Sequence, residues 1–361
     1  MRYSKKHCMK TTFKPLLITF ISLAFVFCSE SSETDEGQEQ ITDDSISQDD
    51  DGVATDIDDF NYLVINRETA VQNLYEIGNN SGEIIEVGQI PGTGFNVFFN
   101  TVVANESKVY YYEQNFDPFE GYIYVHNKTQ GTTEKTTINL DTELFGNSPG
   151  IISMDWDPQK ETIIAIVKSD VEFASGVSKV VEINPDSLEI IDLEIDLGNS
   201  FFTISTTLKN SKLYISGVNQ TFTDRFEDFI EVDLSNKTLE SLQLQDREGA
   251  LRHLGSNELN SEFFGYSKLF GTQRGNATEP FILNIESKVY QPLLPELETS
   301  NFNTLSKTYF DKDQNTFVSF SGANGKDIII TYHIITKEAK VVELSEFGVI
   351  QNAVVVGKVE K

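Results

Sequence analysis

From Phe95 to Leu140 the chain reads FNVFFNTVVANESKVYYYEQNFDPFEGYIYVHNKTQGTTEKTTINL, where four short runs of β-branched and aromatic residues alternate with turn formers. Val97 to Ala104 and Lys108 to Glu113 are dense in Val, Tyr, Phe and Thr, which suit a pleated, half-buried surface and lose χ1 freedom in a helix. Asn105-Glu106-Ser107 between them leaves room only for a tight antiparallel reversal. Tyr122 to His126 forms a third run after a longer loop, and the turn Asn127 to Gly131 leads to a fourth, Thr133 to Leu140. The pattern predicts four antiparallel strands in about 45 residues.

The pattern recurs down the chain. Its third-to-fourth hairpin returns at Asn73 to Ile90, Val180 to Leu197, Phe229 to Gln245, Phe281 to Leu297 and Ile330 to Phe347, six copies with the first. Matching positions Leu74, Ile123, Val181, Ile230, Ile282 and Thr331 lie 49, 58, 49, 52 and 49 residues apart. The first-to-second hairpin falls between them, at Gly150 to Ser169, Thr203 to Val218, His253 to Leu269 and Asn303 to Phe320. The sixth copy is split. Asn61 to Glu68 opens it, and the orphan strand Gln351 to Val359 ends the chain, with Asn352-Ala353-Val354-Val355 echoing Asn100-Thr101-Val102-Val103. A four-stranded unit at this period has the length of a propeller blade. The sequence therefore predicts an all-β, six-bladed β-propeller of antiparallel blades over residues 59–361, its ring closed by the C-terminal strand. Two packed β-sandwiches would also need many short strands but have no reason to repeat at one period.

Residues 1–27 read as an export signal. Arg2, Lys5, Lys6, Lys10 and Lys14 precede the apolar run Leu16 to Phe27, which is too short for a comfortable membrane span. Cys28 ends the run, and Ser29-Glu30-Ser31-Ser32-Glu33 follows it. This resembles the signal of bacterial lipoproteins, with Phe27 standing where a small residue is usual, and the serines and acids after Cys28 resemble the surface-export signal of Bacteroidota lipoproteins. The resemblance implies acylation of Cys28 with palmitate-type chains and an outer-membrane lipoprotein displayed on the cell surface. A plain cleaved signal would leave a soluble periplasmic protein instead. Residues 28–58 hold twelve Asp or Glu and no Lys or Arg, which predicts a disordered tether extended by self-repulsion. Asp49-Asp50-Asp51-Gly52 within it lacks the ligand alternation and distal Glu of a calcium loop and reads as solvated acid.

Charge and cysteine narrow the partners. The chain carries 28 basic and 56 acidic residues; without signal and tether, 23 basic and 44 acidic remain on the body, net −21. That disfavours nucleic acid and anionic lipid surfaces and tolerates cations. The only cysteines are Cys8 in the signal and Cys28, so the body has no disulfide or thiolate site.

Candidate chemistry is sparse. The body's histidines are His126, His253 and His333, the first and last read as equivalent third-strand positions, and the phosphate-loop, zinc-helix and serine-elbow motifs are absent. The single Trp, in Asp155-Trp156-Asp157, reads as core plus turn. In a propeller the second-to-third connections share one face, and here Gln114 to Gly121, Lys168 to Ser178, Asn219 to Asp228, Gly271 to Glu279 and Ser321 to Lys326 are the longer ones. Binding groups gather on loops held by a rigid scaffold. The candidates on this face are Phe116, Asp117 and Phe119; Glu172 and Phe173; Phe222, Asp224, Arg225 and Phe226; and Arg274 and Asn276. Aromatics there can stack on a ring while Arg and carboxylates orient polar groups, or each Phe can plug a groove between blades. The expected function is binding of a protein partner or small ligand, in nutrient uptake or envelope assembly. The rival expectation is a calcium-dependent lactonase or hydrolase, resembling six-bladed propellers that hold calcium with carboxylates; Glu68, Asp117, Asp155 and Glu262 are the residues on offer.

Overall fold

The computed structural model describes residues 59–67, 71–92, 100–171, 176–198, 201–220, 225–244, 251–268, 277–297, 299–300, 307–346, 348 and 353–360. They belong to the second of two units, Ile57–Lys361, and form a six-bladed β-propeller. Residues 1–58, with the expected signal, Cys28 and the whole of the expected tether, lie outside the described residues.

The first blade is the composite one: the C-terminal strand Ala353–Glu360 pairs with Phe60–Arg67, then Val71–Gly78 and Ile84–Pro91 complete the sheet. The orphan strand thus supplies the inner position, as the Asn-Ala-Val-Val echo predicts. Blades two to four run inner to outer from Val102–Ala104, Gly150–Asp157 and Phe201–Lys209. The last two start at Leu251–Ser256 and Tyr309–Asp311. A two-residue strand, Thr299–Ser300, pairs with Thr278 on one side and Gly322 on the other, fusing them into a nine-stranded sheet. That fusion, and the one-turn helix Thr142–Phe145, had no signal in the repeat.

Burial follows position in the blade. Thr162–Lys168 is buried along its whole length, because both of its faces meet neighbouring blades, whereas the outer strand Thr132–Ile138 is exposed at most positions. The core lies between blades: Tyr110, Tyr112 and Ile123 of the second pack with Met154, Ile163 and Val181 of the third, all 0–1% exposed. Each such side chain contributes on the order of 1.5–3 kcal/mol by leaving water.

The third-to-fourth turns repeat in detail. At one equivalent position in each blade, Gly82, Gly131, Leu188, Lys237, Lys288 and Lys337 have φ between 56° and 67°. Four residues earlier stands Asn127, Asn184, Asp233 or Asn284, whose side-chain oxygen accepts backbone N–H bonds within the turn. In the sixth blade His333 takes that place, its Nδ1 accepting from Thr336 N at 3.0 Å. His126 lies one residue before Asn127 and bonds Thr133 instead, so the two histidines are not equivalent.

Some expected loops are corrected to strand. Gln114 to Gly121 is a continuous hairpin, Lys108–Phe116 paired with Phe119–Asn127 around Asp117-Pro118. Ser321 to Lys326 closes through Asn324-Gly325, both with positive φ, the conformation a two-residue hairpin needs. Of Asn219 to Asp228 only 221–224 separates two paired strands. In each case the cross-strand pairing runs on past the apolar core, so composition alone marked the strand end too early.

Candidate functional site

Where the first-to-second turns gather, the propeller axis opens into a cavity of about 1470 Å³. Its walls are inner strands, including Val102 to Ala104, Leu208, Leu254 and Val354 to Gly357; its rim is formed by the turns around Asn105, Pro158, Asn257 and Lys312. Asp59 and Lys358 also lie on it, so the chain enters and leaves the propeller at the mouth.

An ion pair across the axis lines the cavity. Lys307, just before the inner strand of the sixth blade, reaches the third blade opposite, where its Nζ donates to Met154 O and stands 2.5 Å from Asp155 Oδ1. The other oxygen, Asp155 Oδ2, accepts from Thr206 Oγ1 of the fourth blade at 2.6 Å. Their side chains are only 14% and 8% exposed, and burial pulls the Lys307 ammonium below its usual range, partly offset by Asp155. Bulges in the inner strands fall beside these contacts: the register shifts past Ile204, whose carbonyl accepts from Asn100 Nδ2 at 3.2 Å. Another shift, between Arg252 and Gly255, includes His253, whose carbonyl accepts from Thr308 Oγ1 at 2.6 Å. A bulge releases a carbonyl from the ladder, and here the released groups tie blades together near the axis.

Lysines also bridge every junction between blades at this end. Lys128 Nζ donates to Val356 O of the closing strand and, at 2.6 Å, to Asn105 O; Lys108 pairs with Asp186 at 3.2 Å. Lys237 meets Glu194, Lys209 donates to Asn257 O and Asn260 O, and Lys337 meets Glu262 at 2.7 Å. Lys358 closes the round on Asp311 and Asp313 at 3.0 and 2.8 Å. Burial holds the Lys128 ammonium down to about 8 against an ordinary 10.5, with Glu106 opposing the shift.

Trp156 lines the cavity half-buried, its ring parallel to buried Tyr110 at 6.1 Å. Core plus turn is therefore only part of its position; Asp157 does cap the turn, accepting from Gln159 N at 2.9 Å. Asn105 caps the tight reversal that it opens, its Oδ1 accepting from Lys108 N at 2.7 Å.

The candidate contacts on the opposite face are dispersed. Phe116 packs against the apolar cluster of the third and fourth blades, as a groove plug would, and Phe119 is 38% exposed, 5.9 Å from it. Asp117 sits in the hairpin turn, its carbonyl accepting from Asn115 Nδ2 at 3.3 Å. None of the three lines the cavity. Arg225 and Phe226 lie in a strand, with backbones opposite Gln220 and Asn219. Glu172, Phe173, Phe222, Asp224, Arg274 and Asn276 lie outside the described residues.

The carboxylates offered for calcium do not converge. Asp155 is held by Lys307 and Thr206, Glu262 by Lys337, and Asp117 is at the other end of its strand, while Glu68 lies outside the described residues. Among the described residues no group of three His, Cys, Asp or Glu side chains is placed to hold a metal ion. No helix among them is long and apolar enough to cross a membrane.

Fold and cavity define the class: a six-bladed β-propeller sealed by its C-terminal strand, with a ligand-sized hollow at one end of the axis. No protein-family model and no curated protein matches the chain. Among solved structures it is similar to TolB from Acinetobacter baumannii, with a TM-score of 0.53 and 9% identity over 82% of this chain and 66% of that one. The likeness is one of fold, and the chain spans just under two-thirds of that protein's length. The β-propeller domain of the Trilobed protease from Pyrococcus furiosus follows at 0.45, with 11% identity, 78% of this chain and 82% of that one. Oligogalacturonate lyase from Vibrio parahaemolyticus follows at 0.43, with 10% identity, 68% of this chain and 64% of that one.

Proposed function

We propose that the chain is an outer-membrane lipoprotein, held through acyl chains on Cys28 and the acidic tether 28–58, whose propeller receives a small ligand or a partner's segment in the axial cavity and performs no chemistry. The observation that carries this reading is the cavity itself, aromatic and aliphatic on its walls and polar at its rim. Ligand sites have that make-up. The Lys307–Asp155 pair is committed to holding blades together, leaving the hollow above it as a receptacle. Display on the cell surface, in the service of nutrient uptake or envelope assembly, is supported by the serine and acid run after Cys28.

The test places a photo-crosslinking residue at Leu259, exposed on the rim, in the acylated protein in its own cells, with Ile191 on an outer strand as control. Adducts at 259 and none at 191 are expected, together with palmitate incorporation that Cys28→Ala abolishes. Equal labelling at both positions, or none at either, removes the cavity from the reading; palmitate retained by Cys28→Ala removes the anchor.

A further inference from the structure

The cavity's charged groups are not balanced. Most of its lysines already have partners, as the blade bridges show, whereas three carboxylates on its rim, Glu106, Glu161 and Glu258, are exposed and form no ion pair among the described residues. They come from three different first-to-second turns, in the second, third and fifth blades, and so stand around the mouth instead of along one edge. Lys312 is the one rim lysine among the described residues with no acid or carbonyl partner to set against them. Below the rim, half-buried Trp156 lines the hollow together with Tyr110, whose parallel ring stacks on it and restrains it. A Trp face attracts a cation by about 0.5–2 kcal/mol while also accepting apolar surface. The body's net charge of −21 adds a field that draws cations toward the protein and repels anions.

Resting on the reading of the cavity as a ligand site, we infer that its guest is an organic cation: an ammonium carried on an apolar or aromatic body. The apolar part lies against Trp156 and the charge remains near the rim carboxylates, where it keeps part of its hydration. A simple metal ion lacks the apolar part, and an organic anion meets three like charges at the mouth.

The chain contains one Trp, so tryptophan emission of the mature protein reports on this cavity alone. The probe is phenyltrimethylammonium, with phenylacetate and benzyl alcohol as anionic and neutral counterparts of similar size. A saturable emission change is expected with the cation, weakening several-fold between low and high salt because exposed charges are screened over roughly 10 Å at 0.1 M. The triple variant Glu106→Gln, Glu161→Gln, Glu258→Gln changes only exposed turn side chains, and is expected to weaken the cation roughly tenfold and leave the neutral probe unchanged. Tighter binding of phenylacetate or benzyl alcohol, or a triple variant that binds the cation as the parent does, overturns the cation assignment while the cavity stands. Saturation by none of the three probes overturns the cavity as a ligand site as well.

Discussion

At the scale of single residues, Lys307 and Asp155 do the most with the least sequence signal. Each looks ordinary in the chain: one precedes a weak inner strand, the other stands beside the Trp. Only a ring brings the third and sixth blades face to face, so a contact between residues 152 positions apart is invisible to periodicity. Removing one partner of a buried pair leaves the other charge unpaired in a poor solvent. Lys307→Met is expected to cost about 3–5 kcal/mol in urea unfolding, and Asp155→Asn combined with it to recover much of that loss. A single variant as stable as the parent would show that the pair bears no weight.

Elements carry the repeat, and most of it was legible. The six third strands, the turn asparagines and the split blade all follow from short-range chemistry: strand alternation, side-chain acceptors that fold back on turn N–H groups, and a left-handed turn residue. Hairpin ends were less legible, because Phe116 and Phe119 or Asn324 and Gly325 can sit equally in a loop by composition. How the closing strand is held was not legible at all. Lys128 fastens its bulge by donating to Val356 O, and a Cβ at Gly357 would come within 3.1 Å of that ammonium. Because folding lowers the Lys128 value to about 8 from 10.5, the buried charge costs stability in full below pH 8. Between 8 and 10.5 the unfolded chain binds more protons than the folded one, so stability on this account rises with pH and then levels off. Denaturant unfolding of the parent and of Lys128→Met across that window is expected to show the parent gaining on the variant; a difference independent of pH contradicts the clasp as described.

For the whole molecule the decisive event is closure. The strand Ala353–Glu360 covers the edge of Phe60–Arg67 and packs Ala353 and Val355 into the core of the first and sixth blades. Ending the chain at residue 352 exposes an apolar strand edge and opens the ring, and such edges recruit other chains. The shortened protein is expected to lose its sharp unfolding transition and to aggregate; a monomer with an unchanged transition would mean that closure adds nothing. The lysine bridges between blades share the remaining load. Most are partly exposed, so each contributes at most about 1 kcal/mol and their sum weakens with salt.

By itself the sequence determined the strands, their grouping in fours into six blades, the split blade and the acidic, cysteine-free character of the body, because these depend on neighbours within a hairpin or on composition. Tertiary structure alone decided where the hollow lies, that Lys307 spans it and that Trp156 faces it. Those facts depend on which residues a closed ring brings to its axis, and that is set by the angle between blades, a quantity no local pattern encodes.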